Sequence, residues 1–147
     1  IEDIENQLEE IDLSNNIDEI KDYIMNGMIA ITQFHIYHLL VKNNSHHEAI
    51  KLFYIGLQDE IDSLSEGVIA NYDISMNFDY EDDDSEYECD LYLGYTYSRA
   101  FEEVQEIKEY TAHAMRYFEG NENLGLKDKL IDILELCDRL IYKLKQD

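Results

Sequence analysis

No proline occurs anywhere in the 147 residues, and there are only six glycines, so nothing in the backbone chemistry breaks a long helix from within. Apolar side chains recur at i, i+3 and i+4 over long stretches of the same chain, the period of an amphipathic helix. Together these two features predict an all-α fold. A chain of this length makes one domain, 1–147, large enough to bury a substantial core.

Acidic side chains outnumber basic ones 34 to 11, for a formal charge of -23. Phosphate binding needs clustered Lys and Arg, so a nucleic-acid partner is not expected; metal cations are the natural counter-species of such a surface. The two cysteines, Cys89 and Cys137, form no CxxC and no metal-ligand spacing, which makes a reduced cytoplasmic setting the expected one. No signal peptide is visible, and the chain opens on Ile1 rather than Met. Ile24 to Val41 is an uncharged run, but it carries Asn26, Gln33, His35 and His38, so no membrane span is expected.

In chain order, residues 1–13 read as a short leading helix or arm, with Ile4, Leu8 and Ile11 among acids. Ser14-Asn15-Asn16 supplies cap chemistry for a first helix over about 17–42, and Asp18 and Glu19 favour its N-terminal dipole. One apolar stripe of that helix is Ile20, Ile24, Met28, Ile31 and Leu39, with His35 and His38 within roughly 40° of its centre on an ideal wheel. Met25, Ile29, Ile36 and Leu40 form a second stripe nearly opposite. A helix apolar on two sides must bury both, so one face is expected to serve the core and the other a partner subunit.

Ser45 with Glu48 matches a capping box, predicting a second helix over about 46–70. Its core stripe is Ile50, Phe53, Tyr54, Leu57, Ile61, Leu64 and Val68. Asp62 and Glu66 project far from that stripe, in the quadrant of His47, Lys51, Ile55, Gln58 and Ile69. The stretch 71–95 is expected to be a loop, and within it Asp79 to Asp90 holds eight acids in twelve positions. A helix-loop-helix calcium site would need glycine where Asp84 stands.

The third helix is predicted over about 98–119, with Phe101, Val104, Thr111, Met115 and Phe118 inward, and the fourth over about 124–145, burying Leu126, Leu130, Ile133, Cys137, Leu140 and Leu144. The first–second and third–fourth connections are short, which pairs those helices antiparallel. The second–third connection is long enough to cross the bundle. The expected architecture is therefore a ferritin-like antiparallel four-helix bundle with a long acidic crossover.

Two constellations carry chemistry. Three histidines, His35, His38 and His47, flank the turn Asn43-Asn44-Ser45, and the carboxylates Asp62 and Glu66 stand one helical turn apart beyond it. Imidazole nitrogen with carboxylate oxygen is a ligand set that suits divalent iron. The Glu-x-x-His pairs of an intrachain di-iron bundle are missing; Glu109 and His113 come nearest.

The spacing His35, His47, Asp62, Glu66 resembles the signature of the Dps-type miniferritins, within the ferritin-like superfamily: a His late in the first helix, a second twelve later, an Asp fifteen beyond and a Glu four further. The resemblance covers roughly residues 17–70. It implies a homodimer or larger oligomer in which histidines of one subunit and the Asp and Glu of its mate bind and oxidise iron. Ile36 and Lys51 depart from the family, which usually has Trp and an acidic ligand there. His38 lies about as far before the turn as the family's first histidine, so both His35 and His38 are candidate ligands with His47, Asp62 and Glu66.

His35, His38, His47 and Ala49 also resemble a pattern in small phage proteins with a Dps-like helical pair, with Leu39 in place of their Trp. That resemblance implies a host-cytoplasm or virion setting. It also carries the alternative, a non-enzymatic structural or interaction protein with a degenerate metal site.

Overall fold

The computed structural model describes residues 16–72, 90–120 and 123–146. Every regular element among them is helical: α1 (Ile17–Leu40), α2 (Asn44–Tyr72), α3 (Tyr97–Ala114), which tightens into a 3₁₀ turn at Met115–Phe118, and α4 (Leu124–Leu144). The expected leading arm, most of the acidic run, and Cys89 lie outside the described residues. No helix among the described residues is long and apolar enough to cross a membrane.

The ends of the helices follow from local chemistry. Asp18 and Glu19 occupy the first turn of α1, as the dipole favours. Val41 then leaves α1 in an extended conformation. The cap of α2 is Asn43, whose carboxamide oxygen accepts the His46 N–H at 3.1 Å, and not Ser45. Asn caps as well as Ser does and comes first along the chain, so α2 starts earlier than the capping box predicts. Thr96 caps α3 by accepting the Arg99 N–H at 3.2 Å. Gly120, at φ 118°, makes the left-handed bend between the 3₁₀ turn and α4, a conformation that costs glycine little.

The four helices share one core. In α4 all six expected residues, Leu126, Leu130, Ile133, Cys137, Leu140 and Leu144, are buried. In α2 the predicted stripe is buried apart from Tyr54, which is half-buried. The α1 stripe differs from expectation. Ile20, Tyr23, Ile24, Phe34, Tyr37 and Val41 point inward, whereas Leu39 is 68% and Met28 37% exposed. Larger aromatic surface decides the rotation. Phe34 packs against Phe53 with ring centroids 4.8 Å apart, and Tyr37 lies edge-on to Phe34 at 5.2 Å.

Neighbouring helices are joined by specific side-chain contacts. Tyr23 of α1 shares a buried 2.8 Å hydrogen bond with Thr111 of α3, and Tyr37 donates to Glu103 Oε1 at 2.7 Å. Gly27 of α1 lies against Ile61 of α2, and Gly56 of α2 against Leu136 of α4; a Cβ at either glycine would stand 2.6 and 2.8 Å from those side chains, so the helices approach closely there. Lys108 of α3 pairs with Asp138 of α4 at 2.6 Å. Gln33 anchors the approach to α3 at two points. Its Nε2 donates to the Tyr92 carbonyl at 2.8 Å, and its Oε1 accepts the Tyr92 N–H at 2.8 Å.

Candidate functional site

The rotation of α1 moves the histidines off the core. On an ideal wheel His35 stands roughly 100° from Phe34, at the centre of the buried set, while His38 flanks it. His35 is accordingly exposed, and His38 and His47 are half-buried where α1 and α2 meet near their shared turn.

The fold brings these three side chains together with Tyr54. The His38 and His47 rings lie 3.9 Å apart, centroid to centroid, tilted by 30°. His35 stacks on Tyr54 at 4.6 Å, and His38 lies 6.3 Å from His35 and 5.5 Å from Tyr54. Tyr54 is the member the sequence reading assigned to the core. Its place on the flank of the α2 stripe, two turns after His47, was the available signal.

One hydrogen bond sets the chemistry of this cluster. His38 Nδ1 lies 3.2 Å from the His47 carbonyl oxygen, which can only accept. Nδ1 is therefore the donor, and in the neutral tautomer that keeps this bond the lone pair lies on Nε2, where a cation can take it. A backbone carbonyl holding the far nitrogen is the usual support for a metal-ligating imidazole. His35 has ring stacking instead, so His38 is the better-prepared ligand of the two. His46 is spent on structure. It is buried, its Nε2 donates to the Gln146 carbonyl at 3.1 Å, and it ties the start of α2 to the end of the chain.

Asp62 and Glu66 are exposed on α2, off the core as expected, and so is Lys51. Fifteen residues separate His47 from Asp62 on one helix, a rise of roughly 22 Å. The imidazoles and carboxylates of a single chain therefore cannot share an ion. Consistently, no group of three or more His, Cys, Asp or Glu side chains among the described residues could hold a metal. Glu109 and His113 are both exposed on α3, and His113 meets Tyr117 edge-on at 5.7 Å.

Exposed apolar residues accompany the site. Met28 and Leu39 of α1, with Ile55 (41%) and Ile69 (45%) of α2, remain uncovered. Two concavities lie elsewhere. A cleft of about 390 Å³ between α1 and α3 is bordered by Asn26, Glu103 and Tyr110, and a groove of about 640 Å³ between α2 and α4 by Leu52, Leu136 and Arg139. Neither includes a residue of the His/carboxylate set. Cys137 is buried in the core, and burial pushes its thiol up to about 12, which removes it as a nucleophile near neutral pH.

No family model, curated protein or solved structure matches the chain.

Proposed function

We propose that this is a ferritin-like, Dps-type helical protein that dimerises through the outer face of α1 and α2 and binds or oxidises Fe²⁺ between subunits. His38 and His47 of one subunit supply nitrogen, with His35 beside them, and Asp62 and Glu66 of the mate supply oxygen. The observation that carries this reading is the pairing of a prepared His38 Nε2 with an acid pair that its own chain cannot bring within reach.

The helix contacts support the ferritin-like part. Along each neighbouring pair, residue numbers rise on one helix as they fall on the other (Gly27–Ile61 then Phe34–Phe53, Tyr23–Thr111 then Tyr37–Glu103, Gly56–Leu136 then Gly67–Leu126, Phe101–Lys145 then Lys108–Asp138), which supports an antiparallel bundle. Phe53 lies against Phe34 late in α1, Ile61 lies further back along α1 at Gly27, and Glu103 in the first turns of α3 meets Tyr37 near the end of α1, so a connection from α2 to α3 would join opposite ends, as in that topology. Imidazole and carboxylate fit iron by donor type.

Anaerobic titration with Fe²⁺, followed by absorbance on oxygenation, tests the site. Saturable binding that is lost in Asp62→Ala with Glu66→Ala is the expected result. Binding that the double variant leaves unchanged would remove those acids from the site. One observation favours a second reading, a scaffold without metal. Lys51 lies exposed one turn from His47, and an ammonium there opposes a dication.

A further inference from the structure

The outer stripe of α2 is electrostatically lopsided. His47 and Lys51 lie toward its N-terminal end, Asp62 and Glu66 lie toward its C-terminal end, and Ile55 and Gln58 lie between. None of Lys51, Asp62 and Glu66 has an ion-pair partner among the described residues. The stripe is also self-complementary about its own midpoint. Lys51 and Asp62 stand equally far from the point between Gly56 and Leu57, and so do His47 and Glu66.

A two-fold axis through that midpoint would pack two α2 helices against each other in opposite directions. Lys51 of each copy would then face Asp62 of the other, while His47 faces Glu66. A slip of one turn sets Ile55 opposite Asp62 and His47 opposite Ala70, and keeps Lys51 on a carboxylate only at Glu66. A parallel register sets acids on acids. With a formal charge of -23 on each chain, unguided contact between copies is repulsive. The register that sets Lys51 on Asp62 and also His47 on Glu66 is therefore favoured over the slipped one, which keeps the lysine pair alone. Crossing close to antiparallel, in the range near 20°, keeps both outer pairs within side-chain reach. The exposed Met28, Leu39, Ile55 and Ile69 supply the apolar surface around the pairs.

We infer that a second copy of this chain docks on the α1–α2 face in this one register, with Lys51 of each subunit ion-paired to Asp62 of its mate. The inference rests on the dimer proposed above and adds the element that fixes its register without metal. This is the pairing of the metal-free dimer, and Fe²⁺ entering the site would have to displace the Lys51 ammonium from Asp62.

The test is charge exchange, read by sedimentation velocity over a protein dilution series at low salt with chelator present. Lys51→Glu and Asp62→Lys are each expected to weaken the dimer by about tenfold or more. The combined Lys51→Glu/Asp62→Lys protein is expected to recover most of that loss, and raised salt to weaken the wild type. Both positions are exposed, so thermal melts of the variants check that folding is untouched. A wild-type dimer that neither single change affects, or a combined variant no better than the singles, overturns the pairing and leaves the dimer standing. A wild type that stays monomeric throughout overturns both.

Discussion

Leu130 in α4 and Leu39 in α1 are the same side chain on two helices of similar length, yet one is fully buried and the other 68% exposed. The α4 helix buries its whole core stripe, although Leu124, Ile131 and Tyr142 stay exposed outside it. The α1 helix is apolar on most of its circumference, and the core uses only the side carrying Phe34 and Tyr37. What remains, with Met28, Leu39 and the histidines, adjoins the exposed stripe of α2. A helix with more apolar surface than its own chain can cover points to a second surface that covers the rest.

Substitution at these two leucines gives the sharpest contrast. Leu130→Ala should cost about 2–5 kcal/mol in urea unfolding, because it empties a closed part of the core. Leu39→Ser should change the unfolding free energy by no more than about 0.5 kcal/mol while loosening self-association in sedimentation. Comparable losses of stability at the two positions would erase the distinction between the faces.

A smaller effect is expected on the other side of α1, where Tyr37 holds Glu103. Tyr37→Phe removes the donor from a half-buried carboxylate and should cost about 1–2 kcal/mol by the same measurement. Burial raises the Glu103 carboxyl above the ordinary range, against the opposing pulls of the Tyr37 hydrogen bond and Arg99. The folded state thus holds that proton more tightly than the unfolded chain does. Its contribution is most favourable below the ordinary carboxylate range and declines as pH rises toward the raised value. Glu103→Gln keeps the Tyr37 hydrogen bond and should flatten that decline, leaving the variant slightly more stable than wild type at neutral pH. An unchanged pH profile of the unfolding midpoint would contradict the assignment. At the far end of the scale, Lys108→Ala in the exposed Lys108–Asp138 pair should leave the urea midpoint where it is, because solvent screens the pair.

The same contrast explains what could be read from the residues alone. Both α4 and the α2 core stripe are legible because one period dominates each; every core residue expected in α4 is buried. The α1 stripe was misplaced by periodicity. Ile20 and Ile24 of the expected stripe are buried, but Met28 and Leu39 keep helical spacing with them as well as Tyr23, Phe34 and Tyr37 do, and only packing against Phe53 and Glu103 selects the aromatic side. The Asn43 cap was missed because Asn43, Asn44 and Ser45 are nearly equivalent in cap chemistry. At the candidate site, the nearness of His35, His38 and His47 follows from the short turn, and the exposure of Asp62 and Glu66 from the α2 wheel. The His38 contact with the His47 carbonyl and the stacking of Tyr54 on His35 have no sequence signature, since they depend on how α1 and α2 cross.

The central claim is that iron meets this protein only where two subunits join. Anaerobic Fe²⁺ titration at protein concentrations well above and well below the dissociation constant of the dimer tests it most directly. Saturable binding in the concentrated sample that fades on dilution is the predicted result. Equal binding per chain at both concentrations, or none at either, would contradict it.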